Sequence, residues 1–136
     1  MPWNRGADPN LWSIVENTRK GVSIHEIDTG IDRGDIIVQR GMNFFSARTL
    51  RETYQLLGDE ILKLFEESWV YFRVGDWESK SQSEDEGSVH YSSDRLKIWS
   101  YLDNGWDTTI KSVHEFVPKK YQVIGGGRNV HGSDDE

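Results

Sequence analysis

The chain lacks cysteine altogether, has only three prolines among 136 residues, and contains no long apolar run. Without cysteine there is no disulfide framework, no thiolate zinc site and no cysteine nucleophile. A membrane span takes about 20 consecutive apolar residues, so we expect a cytoplasmic protein with no membrane partner. The net charge of -7 disfavours nucleic acid as a partner, because lysine and arginine carry most of that binding.

Aromatic residues and glycine are plentiful instead. Six Trp, five Tyr and five Phe stand beside 13 Gly, and so many aromatic side chains either pack a core or form a surface for a partner. The length fits one core of ordinary size. Shifts in composition along the chain predict three segments: a main unit over residues 1–75, an acidic loop with a short helical extension over 76–120, and a disordered tail over 121–136.

The first third of the chain predicts a short helix followed by two strands. Asp8 before Pro9 is typical of a helix start, with the Asp8 side chain as the capping acceptor, and we expect a helix over residues 9–16. Residues 22–27 and 36–40 are rich in β-branched side chains and predict strands. The loop over 28–35 is short and contains glycine, so the strands should pair as antiparallel neighbours.

The strongest periodic signal covers residues 49–72 and predicts a long helix. Thr49 and Glu52 match a capping box, in which each side chain accepts from a free backbone N–H group. Apolar residues then recur at three- and four-residue steps and form one continuous apolar stripe. The stripe consists of Leu50, Tyr54, Leu57, Ile61, Leu64, Phe65 and Trp69.

Beyond residue 75 the predicted elements are short. Residues 79–87 are polar and acidic and predict an exposed loop or linker. Ser93 is the expected cap of a helix over 93–102, which Gly105 ends in the left-handed conformation. Residues 108–116 predict one more helix, and the tail from Gly125 should be disordered. The histidines here, His90, His114 and His131, have no metal-binding spacing, so no metal site is predicted.

Three segments resemble the folate-dependent formyltransferase family. They are PWNRGADPNLW at 2–12, KGVSIH at 20–25 and DTGIDRGDII at 28–37, which together place the resemblance on roughly residues 2–75. A weaker likeness to amino-sugar members covers residues 87–110. The implied fold class is α/β: the C-terminal portion of a formyltransferase-type Rossmann-like domain, an antiparallel hairpin plus a long helix, with the upstream β/α half absent.

The resemblance implies transfer of a formyl group from 10-formyltetrahydrofolate to an amine. The family's catalytic aspartate corresponds to Asp32, and Arg5 and Gly6 are implied as contacts for a substrate phosphate. An amino-sugar nucleotide is the favoured acceptor, with methionyl-tRNA next, because the chain is acidic. The residues implied to line the pterin pocket through backbone contacts are Asp28, Thr29, Gly30 and Ile31.

Each of these residues also has an ordinary structural interpretation. Asp32 can be a turn residue that accepts from backbone N–H groups, and Arg5 can pack over Trp3. Arg33 stands where the family usually has a small residue, and it either points to solvent or pairs with Asp32. His25 lies within a predicted strand, where a structural histidine is the expected role.

Whether the chain acts as an enzyme is left open by the sequence. The family's catalytic asparagine and histidine belong to a motif upstream of the segment at 2–12, and Met1 stands just after the place where that motif would end. An ionised Asp32 cannot donate to the oxyanion that forms during transfer. We therefore expect activity to need a complementing polypeptide. The alternative is a non-catalytic remnant that associates with itself as a homo-oligomer or with a relative.

Overall fold

A computed structural model describes residues 3–84 and 86–122 and shows a mixed α/β fold, as expected. Short 3-10 turns at Gly105–Asp107 and Lys119–Tyr121 join the last elements. No helix in this part of the chain is long and apolar enough to cross a membrane. In chain order the strands and helices are β1 (Arg5–Gly6), α1 (Pro9–Val15), β2 (Lys20–His25), β3 (Ile36–Met42), α2 (Leu50–Phe72), β4 (Val89–His90), α3 (Ser92–Trp99) and α4 (Ile110–Phe116).

The predicted antiparallel hairpin is present as β2 and β3. Its register pairs Lys20 with Met42 and Val22 with Arg40, so both strands reach further towards the open end than the sequence indicated. An irregularity between Ile24 and His25 ends the regular pairing before the loop. This hairpin packs against α2, while β1 and β4 form a separate parallel pair.

Helix α2 begins as predicted, and it buries only part of its apolar stripe. The Glu52 backbone N–H donates to Thr49 Oγ1 at 3.2 Å, and the Thr49 N–H donates to the Glu52 carboxylate at 3.4 Å, which confirms the capping box. Leu50 and Leu64 are buried, whereas Tyr54 is 68% exposed. The apolar stripe is therefore covered only in part, since Phe65 and Trp69 are 46% and 52% exposed as well.

The hydrophobic core lies where α1 meets the start of α2 and the two C-terminal helices. Leu11, Leu50, Ile98 and Val113 are fully shielded from solvent. The core thus takes side chains from both sides of residue 75, and the division into segments at that position stays a prediction.

Two predicted helix caps are wrong in detail. Asp8 does occupy the N-cap of α1, but its side chain makes no capping hydrogen bond; it accepts instead from Arg95 Nη1 at 3.2 Å. The N-cap of α3 is Tyr91 rather than Ser93, and α3 ends at Trp99, three residues earlier than expected. Its first turn is closed by Asp94, whose carboxylate accepts from the Tyr91 N–H at 2.8 Å.

The segment predicted as an exposed loop or linker is mostly exposed, and it is attached to the hairpin. Lys80 and Ile36 exchange both backbone hydrogen bonds at 2.8 Å. Gly105 has a positive φ of 54°, as expected, and α4 covers most of the last predicted helix. The tail from Gly125 lies outside the described residues.

Candidate functional site

Asp32 lies in the loop between β2 and β3, where one hydrogen bond holds its carboxylate and a histidine lies close to it. Its backbone has a positive φ of 51°, a conformation that aspartate tolerates better than most residues. One carboxylate oxygen, Oδ2, accepts from the Gly6 N–H at 2.7 Å. The other, Oδ1, lies 3.6 Å from His25 Nε2. The loop therefore places the Asp32 carboxylate between strand β1 and the end of β2.

The second contact of His25 shows which ring nitrogen carries the hydrogen. Its Nδ1 lies 2.7 Å from the Glu26 backbone carbonyl oxygen, which can only accept, so Nδ1 carries the hydrogen. In the neutral ring, Nε2 then presents a lone pair towards Asp32.

Asp32 and Gly6 line a cleft of about 940 Å³ between the N-terminal segment, the hairpin and α2. Trp3, Phe44 and Tyr54 contribute aromatic walls. This volume lies within the range of about 300–1,000 Å³ that is usual for small-molecule sites. The cleft is thus large enough to hold a ligand of the size of a nucleotide.

The basic side chains that line the cleft differ in whether other groups of the protein already bind them. Lys20 Nζ donates to the carbonyls of Ser13 and Thr18 at 3.0 and 2.7 Å, and burial lowers the pKa of Lys20. Arg40 forms ion pairs with two carboxylates of α2, which raise its pKa. Arg19 is exposed and, within residues 3–84 and 86–122, has no ion pair. It is the cation that the cleft leaves available to a ligand.

Arg5 lies behind the cleft rather than in its lining. The side chain is only 2% exposed, and its Nε and Nη2 donate to Gln82 Oε1 at 3.2 and 2.8 Å. Burial lowers the pKa of Arg5, and the neighbouring Arg33 lowers it further. The role of Arg5 in binding a substrate phosphate stays a prediction.

The predicted pterin loop, residues 28–31, is exposed and does not line the cleft. The Gly30 N–H donates to Asp28 Oδ1 at 2.7 Å, so the loop is closed by its own side chain. Arg33 lies against Gly30, and among the described residues it makes no ion pair with Asp32. In the same part of the chain no group of three or more acidic or histidine side chains is placed to hold a metal ion.

Sequence reasoning missed two residues that contact Asp32. His25 is the last residue of β2, and its position in a strand indicated only a structural role. Gln82 lies in the polar segment taken for a linker, and its side chain donates to the backbone carbonyl of Asp32 at 2.9 Å. No local pattern distinguishes Gln82 from the polar residues around it.

Comparison with known proteins identifies relatives over most of the chain. The formyltransferase PseJ from Anoxybacillus kamchatkensis, solved in complex with UDP-4,6-dideoxy-4-formamido-L-AltNAc and tetrahydrofolate, has 46% identity and a TM-score of 0.79. The match covers 83% of this chain and 59% of that chain. No protein-family model matches.

Two further relatives have named activities. The dTDP-4-amino-4,6-dideoxyglucose formyltransferase of Mycobacterium bovis is 36% identical over 93 residues, which cover 68% of this chain and 39% of that protein. The methionyl-tRNA formyltransferase of Ruminiclostridium cellulolyticum is 28% identical over 121 residues, which cover 86% of this chain and 36% of that protein.

These matches define the class of fold as that of the formyltransferases and confirm the resemblance drawn from the three sequence segments. The relatives of the chain are sugar N-formyltransferases and a methionyl-tRNA formyltransferase, which matches its resemblance to the folate-dependent formyltransferase family. The chain spans less than two thirds of the length of each relative described above.

Proposed function

We propose that this chain serves the transfer of a formyl group from 10-formyltetrahydrofolate to the amine of a sugar nucleotide, with Asp32 as the reacting carboxylate. The observation that carries the proposal is the placement of Asp32 at the cleft, held by Gly6 and facing His25. The PseJ complex supports it, because a formamido sugar nucleotide and tetrahydrofolate are the two products of such a transfer.

The chemistry requires one proton to leave the acceptor and one to reach the donor. The amine nitrogen attacks the formyl carbon and forms a C–N bond; the bond from that carbon to N10 of the folate then breaks. The amine loses one proton and N10 gains one. Asp32 and His25 can hold the proton in transit. Their facing atoms, Oδ1 and Nε2, lie 3.6 Å apart, and neither carries a hydrogen when the carboxylate is ionised and the ring is neutral.

A sugar nucleotide fits the cleft better than tRNA does. The two sugar formyltransferases are 46% and 36% identical to the chain, against 28% for the methionyl-tRNA enzyme. The net charge of -7 opposes a large polyanion, whereas the single exposed guanidinium of Arg19 suits the diphosphate of one nucleotide. The loop at 28–31 is the proposed contact for the folate ring, through its backbone.

The test measures binding and turnover separately. Trp3 lines the cleft, so quenching of tryptophan fluorescence should report saturable binding of tetrahydrofolate and of a dTDP- or UDP-linked amino sugar. Mass spectrometry then follows the formamido sugar when 10-formyltetrahydrofolate is added, with the chain alone and with a polypeptide carrying the rest of a relative's length. If the formamido sugar forms in none of these arms, the proposal is refuted. Product from methionyl-tRNA alone would refute the choice of acceptor.

A second candidate function is self-association through the apolar face of α2, defined by Leu62, Phe65, Trp69 and Phe72. Leu62 and Trp69 are more than half exposed, and the Phe65 ring lies against the rings of Trp69 and Phe72. This face offers roughly 400 Å² to a second copy of the chain, below the roughly 800 Å² per partner of a standard interface. A weak dimer is therefore expected; sedimentation that shows a monomer at all concentrations would exclude it.

A further inference from the structure

One side-chain amide holds the backbone of the Asp32 loop. Gln82 Nε2 donates to the carbonyl oxygens of Asp32 and Gly34, at 2.9 and 2.7 Å. Its Oε1 accepts from Nε and Nη2 of Arg5, at 3.2 and 2.8 Å. Gln82 thus uses both of its donor hydrogens and its acceptor, and all of these bonds are long-range contacts.

The chemistry of its neighbours fixes the orientation of this amide. Two carbonyl groups can only accept and a guanidinium can only donate. Rotating the amide by 180° would place its oxygen against the carbonyls and its NH₂ group against Arg5. The backbone pairing of Lys80 with Ile36, two residues before Gln82, anchors the segment from which the side chain extends.

The loop itself has little freedom to move. At Gly34, a Cβ atom would lie 1.7 Å from the Glu26 carbonyl oxygen, so the two backbone segments are in direct contact. Asp32, two residues earlier, has a positive φ and is held at both ends: its carbonyl oxygen by Gln82 and its carboxylate by Gly6. Arg5 precedes Gly6 in β1, so the same amide links the loop to the strand that supplies the Gly6 N–H group.

We infer that Gln82 is a positioning residue for Asp32: with Arg5 it locks the loop so that Asp32 Oδ2 meets the Gly6 N–H and Oδ1 faces His25 and the cleft. This inference rests on the proposed function only in taking Asp32 as the reacting carboxylate. The placement of Asp32 by Gln82 can be measured without turnover.

The decisive variant is Gln82→Glu, which keeps an acceptor for Arg5 but loses both donors and sets a carboxylate against two carbonyl oxygens. Gln55→Glu is the control, because Gln55 is exposed on α2 outside the cleft and undergoes the same change of charge. We expect hydrogen exchange at the Gly6 amide to speed up about tenfold in Gln82→Glu, the factor that corresponds to one hydrogen bond. The Leu64 amide in the middle of α2 should be unchanged, as should both amides in Gln55→Glu.

A measurement on the unaltered chain keeps the inference testable if the variant does not fold. NMR couplings across hydrogen bonds should link Gln82 Nε2 to the carbonyl carbons of Asp32 and Gly34. Absence of both couplings would overturn the inference. So would equal acceleration of exchange at Gly6 and Leu64 in a folded Gln82→Glu variant, because that result means general loosening.

Turnover adds a second readout once formyl transfer has been observed. Gln82→Glu should lower kcat about ten- to a hundredfold, the cost of misplacing a reacting group, while KM for the sugar nucleotide stays the same. An unchanged kcat would overturn the inference. If the unaltered chain shows no transfer in any arm, the proposed function fails while the Gly6 exchange and the couplings still decide the role of Gln82.

Discussion

His90 stacks flat on Trp12, with ring centroids 4.0 Å apart and planes only 5° apart. Its Nε2 also lies 2.8 Å from Glu16 Oε1, an ion-pair distance without the alignment of a hydrogen bond. All three side chains are buried. The cluster joins β4 to α1, and β4 in turn pairs with the strand that contains Gly6.

Replacing this histidine should be among the most damaging single changes in the chain. His90→Ala removes the ring on Trp12 and leaves the Glu16 carboxylate buried without its neighbour, which typically costs about 3–5 kcal/mol. His114→Ala, on the exposed side of α4, should change stability by less than about 0.5 kcal/mol. Urea unfolding measures both. Equal midpoints for the two variants would contradict a structural role for the cluster.

Asp32→Asn should separate chemistry from folding at the candidate site. Asparagine can still accept from the Gly6 N–H and tolerates a positive φ, so the unfolding midpoint should hardly move. The amide cannot take a proton, and formyl transfer should fall about 10²–10⁴-fold. Asp35→Asn, in the same loop but outside the cleft lining, is the matched control. Transfer at the unaltered rate in Asp32→Asn would remove Asp32 from the mechanism.

Elements defined by neighbours in sequence were the ones that could be predicted. The capping box needs only Thr49 and Glu52, three residues apart, and the hairpin follows from two β-branched runs around a short loop. Asp32 could be chosen as the candidate catalytic residue because the segment around it resembles that of a known family. Its local sequence alone favoured the role of a turn residue that accepts from backbone N–H groups.

The contacts that build the site join residues distant in the sequence and had no local signal. Gly6 and Asp32 are 26 residues apart, Gln82 and Asp32 are 50 apart, and Arg5 and Gln82 are 77 apart. The extent to which α2 is buried has no local signal either. A periodic stripe predicts an apolar face, but only the packing of the other elements determines whether that face is covered.

The close contact at Gly34 predicts opposite effects for two glycine replacements. Gly34→Ala would place a Cβ atom 1.7 Å from the Glu26 backbone oxygen, so the loop must shift, at a cost of about 2 kcal/mol or more. Gly58→Ala lies within α2 with nothing inside 4 Å of the new atom, and should stabilise the chain by up to about 1 kcal/mol. Thermal unfolding compares them. Destabilisation by both would show that the loop contact is not the cause.

The ion pair between Arg51 and Asp107 predicts a dependence of stability on acid. Arg51 Nε and Nη2 donate to the two Asp107 carboxylate oxygens at 2.6 and 3.2 Å, joining α2 to the first 3-10 turn. The hydrogen bond from Arg51 lowers the pKa of Asp107. A carboxylate whose pKa is lowered in the folded state stabilises that state. The contribution is complete when the pH is above the ordinary aspartate pKa of about 4, and it is lost as the pH falls through the lower pKa of the folded state.

Asp107→Asn should therefore destabilise the chain at pH 7 and destabilise it less at pH 2, because the contribution of the ionised Asp107 carboxylate is lost as the pH falls through its lowered pKa. Both partners are exposed, so the difference at pH 7 should be small. Asp103→Asn, also exposed, is the control and should follow the unaltered chain at both pH values. Urea unfolding at the two pH values measures the difference. A gap between Asp107→Asn and the unaltered chain that is the same at pH 2 and pH 7 would show that the pair contributes nothing through its charge.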